Sequence, residues 1–182
     1  MKIIKGCLIT LSIFCIVSIL IFWLYKNNTI ERFGSLSSEV SVQWEKTAKL
    51  ITKKNDQLKS ESKISDSLKF YLREFESKKN LKFCDSNLIE IEYNINRLAL
   101  KDSVNQNNID ELNQNLNKYN SLVRNYNTKK GIFPNFLLLR KSGLKSHFLY
   151  FENEYGTEND SPKQKRRKTR EWQKKIEDSI FK

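Results

Sequence analysis

Residues 6–25 read GCLITLSIFCIVSILIFWLY, an apolar run with no charge and no proline. A helix rises about 1.5 Å per residue, so roughly 20 residues cross a hydrocarbon layer of about 30 Å. Lys2 and Lys5 precede the run and Lys26 follows it, within reach of lipid headgroups. Trp23 and Tyr25 stand at its exit end, and rings with one polar edge favour the membrane interface. The run therefore predicts an N-terminal transmembrane helix. A cleaved leader has a shorter apolar core and small residues before the cut; Leu24, Tyr25 and Lys26 are large. A lipoprotein signal needs small residues before its cysteine, whereas Ile13 and Phe14 precede Cys15. The expected location is the cell membrane, single-pass. Lys2 and Lys5 on one flank are balanced by Lys26 and Arg32 on the other, which leaves the side of the soluble part open.

Beyond the run the chain is polar and basic. All 182 residues together carry a formal charge of +12 and a pI near 9.6, which favours anionic partners. Five Gly and two Pro suit long helices better than a turn-rich β architecture. Cys7 and Cys15 lie in the apolar run and Cys84 is the one cysteine beyond it, so neither an internal disulfide framework nor a cysteine zinc site is expected there. The expected division is an anchor over 1–27, a helical domain over 28–152 and a basic tail with an amphipathic helix over 153–182.

Helical spacing recurs throughout the middle segment. Phe33, Val40, Trp44, Ile51, Leu58, Leu68, Leu72 and Phe75 fall on one stripe. A hinge at 27–29 and an unbroken helix through it are both open. A turn is expected near 60–62 and a bend over 78–85. Leu88, Ile91, Ile95 and Leu98 open the next helical region near Asp85 or Ser86. Ile109, Leu112, Leu116, Tyr119, Val123 and Tyr126 then alternate steps of three and four, a seam that packs at a shallow angle. The same register puts Asp102 and Asn105 on the seam, and a break in the asparagine run 105–108 is favoured, with Asn108 and Glu111 as a capping box. Gly131 and Pro134 stop the helix. The stretch 152–161 reads as mobile. Ser161, Pro162 and Gln164 then read as a helix start. The fold class expected is all-α: a transmembrane helix followed by an antiparallel, up-and-down bundle of long helices.

The stretch 119–152 reads YNSLVRNYNTKKGIFPNFLLLRKSGLKSHFLYFE. It resembles the C-terminal half of the LemA family through Tyr119–Asn120, Val123, Tyr126–Asn127, Phe133–Pro134, Gly143 and Tyr150–Phe151–Glu152. Nearer the N-terminus, the single membrane helix followed by Val40, Trp44 and Leu50 is similar to the family's opening. The resemblance implies an anchored helical bundle; it carries over no catalytic residue and no settled biochemical role. The asparagine-rich stretch 105–117 and the tail after Glu152 depart from the family pattern, and Leu50–Ile51–Thr52–Lys53 lacks the family's proline.

The Tyr-Asn pairs are read first as packing elements, with hydroxyls and amides bonding to facing helices to fix register. The alternative is a polar groove for a ligand. His147 has no nucleophile or carboxylate identifiable beside it. Glu90 with Glu92, and Glu152 with Glu154, are two apart and face different ways on a helix. No phosphate loop, zincin or nucleophile-elbow motif occurs. The sequence thus points to no enzyme, no cofactor and no metal. The basic cluster Lys163, Lys165, Arg166, Arg167, Lys168 and Arg170, followed by Trp172, Ile176 and Ile180, reads either as a solvated tail or as a surface for anionic lipid. Nucleic acid is the weaker partner reading, since no recognised nucleic-acid fold accompanies the cluster. The expectation is a non-enzymatic scaffold or partner-binding helical module at the bilayer. A coiled-coil component of an envelope complex and an anchored protein with a nucleic-acid-binding tail are the alternatives.

Overall fold

The computed structural model describes residues 2–78, 81–104, 108–162, 164–165 and 167–172, which are helix, turn or irregular chain with no strand among them. Helix α1 (Lys2–Ser60) is followed by α2 (Asp66–Ser77), α3 (Ser86–Lys101), α4 (Ile109–Gly131) and a short α5 (Asn135–Leu138). At 59 residues α1 is about 90 Å long. It runs through 27–29 without a hinge. No proline precedes Pro134, and Gly34 lowers helix propensity only by about 1 kcal/mol.

The helix ends have local causes. Ser65 caps α2 by accepting the Leu68 N–H at 3.3 Å, and Asp85 caps α3 by accepting that of Leu88 at 2.7 Å. Helix α3 stops at Lys101, and Ser103 takes φ +54°. The Asp102 carboxylate there accepts the Ser65 N–H at 2.8 Å. The favoured break is therefore present, although it begins before the asparagine run; residues 105–107 lie outside the described residues. Asn108 takes φ +62°, not the extended backbone of an N-cap, so the expected capping box is not how α4 begins.

The chain divides into two compact units. One comprises Met1–Glu39 with Asn125–His147, the other Val40–Arg124 with Phe148–Lys182. In the first, the Phe33 ring meets the Tyr126 ring edge-on at 5.8 Å. Tyr126 Oη donates to the Lys145 carbonyl at 2.7 Å, and Lys130 Nζ donates to the same carbonyl at 2.6 Å. Gly143 turns the chain at φ +73°. The large side chains over 11–25 are exposed, 47% for Val17 to 69% for Phe14. This is the described helix long and apolar enough to cross a membrane.

The second unit holds the larger core. The stripe residues Val40, Trp44, Ile51, Leu58, Leu68, Leu72 and Phe75 are buried, as are Leu88, Ile91 and Ile95 of α3 and Leu112, Leu116, Tyr119 and Val123 of α4. Trp44 is the hub. Its Nε1 donates to the Leu81 carbonyl at 2.7 Å, and its ring lies 5.1 Å from that of Tyr119 and 6.0 Å from that of Phe151.

Candidate functional site

The most chemically loaded place in the second unit is buried beneath these rings. Lys54 and Asn55 of α1 face Glu92 of α3. Lys54 Nζ donates to Glu92 Oε2 at 2.8 Å, Asn55 Nδ2 to Oε1 at 2.6 Å and Tyr155 Oη to Oε2 at 2.7 Å. The ammonium also sits 4.0 Å from the centre of the Tyr155 ring. Glu92 has no exposure and Lys54 only 4%. Burial pushes the Lys54 ammonium below its ordinary pKa, opposed by the Glu92 charge. Burial, reinforced by Glu92, holds the Tyr155 phenol well above the usual tyrosine range.

This cluster has the charge of a catalytic site but not the room. Three donors already occupy the carboxylate. The cleft beside Lys54, bordered by Leu50, Lys53, Gln57, Asn108 and Leu112, has about 10 Å³, near the lower limit for a single water. Glu92 itself has no exposure to solvent. Its chemistry is that of a polar clamp inside a core, where it ties α1, α3 and the chain beyond Glu152 together. No group of His, Cys, Asp and Glu able to hold a metal occurs among the described residues.

Tyr119 and Asn120 bond to a backbone that is not a facing helix. Tyr119 Oη donates to the Leu149 carbonyl at 2.9 Å. Asn120 takes both backbone groups of Phe151: Nδ2 donates to its carbonyl at 2.8 Å and Oδ1 accepts its N–H at 2.9 Å. One heptad earlier, Asn113 does the same to Tyr155, with both contacts at 3.0 Å. Their target is thus an irregular returning segment. The physical reason is need: a non-helical backbone entering a core must satisfy its own N–H and C=O groups, and of the side chains on a helix surface an amide can answer both at once. Asn96 repeats the arrangement, accepting the Gly156 N–H and donating to the Glu154 and Thr157 carbonyls. The stretch read as mobile is consequently tied down, and Asn153 and Tyr155 are buried.

The other family-motif positions are dispersed. Val123 is buried in the seam, and Phe151 is buried and stacks on Tyr155 at 6.2 Å. Asn127, Pro134 and Tyr150 are half-buried. Phe133 is 72% exposed. His147 and the Glu152 side chain are exposed.

The tail's helix start forms as the residues suggest. Gln164 N–H donates to Ser161 Oγ and Ser161 N–H to Gln164 Oε1, each at 3.2 Å. Its cations are partly engaged within the chain. Lys165 donates to the Glu152 carbonyl. Lys168 meets Asp160 at 2.5 Å, a hydrogen bond that holds that carboxyl below its usual pKa. Arg167 lies 3.4 Å from Glu171. Arg170 and Trp172 are exposed. Lys163, Arg166, Ile176 and Ile180 lie outside the described residues.

Sequence reasoning missed Lys54, Asn55 and Tyr155, and weighed Glu92 only as a pair with Glu90. A signal existed: the stripe on α1 lacks its apolar rung between Ile51 and Leu58, and Lys54–Asn55 fills that gap. No family model, no curated protein and no solved structure matches the chain.

Proposed function

We propose that the chain is a LemA-like single-pass membrane protein whose helical part is a non-enzymatic scaffold or partner-binding module beside the bilayer. One observation carries the reading. The apolar side chains over 11–25 are exposed on a helix that continues unbroken to Ser60. A soluble core helix would bury them, and a cleaved leader has a shorter apolar core. The sealed Lys54–Glu92 cluster supports a structural rather than a catalytic role. The LemA likeness rests on the motif positions themselves, and an up-and-down bundle is the packing that the seam and the Trp44–Tyr119 contact suggest. The envelope coiled-coil alternative requires a seam free to pair with another chain; Leu112, Leu116, Tyr119 and Val123 are buried in this chain's own core. The nucleic-acid alternative has no recognised nucleic-acid fold beside the basic cluster to support it.

Alkaline carbonate extraction of membranes tests the anchor. The full chain should stay in the pellet and a chain starting at Asn28 should be soluble. Full-length protein in the supernatant, or a mature N-terminus beyond Tyr25, overturns the proposal. Co-purification from native membranes with mass spectrometry then identifies the partner.

A further inference from the structure

The corner between α4 and α5 presents four large apolar side chains to the outside. Ile132 is 55%, Phe133 72%, Phe136 48% and Leu137 52% exposed. Four such residues within six positions are more than a scatter of single surface apolars. Their position in the first unit says what covers them. The Phe33–Tyr126 ring contact sets α4 beside α1. From Tyr126, α4 runs five residues further to Gly131, about 7.5 Å of rise. A cleft of about 230 Å³ then joins Tyr25, Asn28 and Arg32 of α1 to Lys129 and Asn135. Asn135 lies between Phe133 and Phe136 in the chain, and Tyr25 is the last residue of the apolar run. The exposed corner is therefore level with the place where α1 leaves its apolar stretch.

We infer that this α4–α5 corner is a second membrane-contact element, dipping Ile132, Phe133, Phe136 and Leu137 into the headgroup layer of the bilayer that α1 crosses. The inference rests on the anchor reading. Arg32 and Lys129, which border the cleft, supply positive charge at the height of the lipid phosphates. Phe133 and Phe136 lie with ring centres 6.4 Å apart, a paired aromatic surface suited to the acyl boundary. The corner is fixed to α4 by Asn135 Nδ2, which donates to the Lys129 carbonyl at 2.8 Å, so it does not need to fold on contact.

The test uses the full chain in phosphatidylcholine vesicles containing phosphatidylglycerol, with Cys7 and Cys15 replaced by Ser and the buried Cys84 kept. An environment-sensitive fluorophore is attached in turn at Phe136→Cys, Leu20→Cys and Glu39→Cys, all exposed positions. Residues in the headgroup boundary sit about 5–10 Å deep, so lipids brominated near the top of their chains should remove about half of the Phe136→Cys emission. That label should also be blue-shifted. Leu20→Cys should be quenched by deeper bromines, and Glu39→Cys should remain water-like. A quenched Leu20→Cys with an unquenched, unshifted Phe136→Cys overturns the corner while sparing the anchor. A blue-shifted but unquenched Phe136→Cys means that protein, a second copy or a partner, covers the corner, and overturns it too. Absence of quenching at Leu20→Cys removes the anchor reading and the inference with it.

Discussion

Consider removing Glu92 from its buried cluster. Glu92→Leu deprives three donors of their acceptor: the Lys54 ammonium, the Asn55 amide and the Tyr155 hydroxyl. Leaving a buried charge unpaired costs about 3–5 kcal/mol, and each orphaned neutral donor adds about 1–3 kcal/mol. Lys54 has an escape. It can release its proton, which at pH 7 costs at most about 4.6 kcal/mol from an ordinary pKa near 10.4, and burial has already lowered that pKa. The expected loss is thus about 5 kcal/mol or more, comparable to the whole stability of a small domain. Lys54→Met leaves Glu92 with two donors and should cost about 3–5 kcal/mol. The double variant removes both charges, so it should be far less damaged than the sum of the singles, with coupling of at least about 2 kcal/mol. Urea unfolding of a chain starting at Asn28, followed by circular dichroism, measures all three. Additive losses, or a Lys54→Met loss under about 0.5 kcal/mol, the scale of surface substitutions, would refute the picture of a closed and mutually dependent cluster.

Asn120→Ala removes both partners of the Phe151 backbone and should destabilise by about 2–4 kcal/mol by the same unfolding assay, whereas Glu152→Ala, an exposed neighbour, should change it by under about 0.5 kcal/mol. In alkali the tyrosines decide. The phenol of Tyr155 is raised by burial, so the folded state keeps a proton that the unfolded chain releases above about pH 10. Its stability contribution is full below that pH and falls above it by about 1.4 kcal/mol per pH unit. Tyr119 and Tyr126, also raised by burial, act in the same direction. Lys54 acts oppositely, since its folded pKa is lowered. Its contribution rises with pH up to the unfolded value near 10.4 and is flat beyond. Unfolding midpoints should therefore drop above about pH 10.5, and Tyr155→Phe should show a shallower drop. Finally, a peptide covering 161–182 should blue-shift its Trp172 fluorescence with anionic vesicles at low salt and hardly with neutral ones; replacing its Lys and Arg over 163–170 by Gln should abolish that preference. No shift with anionic vesicles would leave a solvated tail.

The helices were legible because their apolar residues recur at helical spacing over long stretches. Phe33 through Phe75 and Leu112 through Tyr126 mark both the elements and the faces they bury. The turn near Ser60 and the bend before Ser86 were legible as the places where the apolar stripe lapses. The interior polar chemistry was not. Glu92 stands next to Ile91 on α3 and resembles any surface glutamate until Lys54, nearly forty residues away, is seen opposite it. Tyr155 sits among Glu154, Gly156 and Thr157, a composition that reads as loop. Periodicity reports what a helix does to its own faces; it carries no information about a non-helical segment held by another element's amides.

Holding a segment by its backbone also limits how this sequence can change. Asn120 and Asn113 grip the N–H and C=O of Phe151 and Tyr155, groups that every residue except proline carries. The grip is indifferent to side-chain identity. Inward side chains at Phe151, Asn153 and Tyr155 fill space, whereas the side chains of Glu152 and Glu154 are exposed and not constrained by packing. Substitutions can accumulate there, proline apart, without moving the chain. A deletion of one residue between Phe151 and Tyr155 would be a different matter, because the two amides hold a fixed span on α4 and one of them would have to let go. The outward positions are thus open to drift in their letters, while the segment is closed to change in its length.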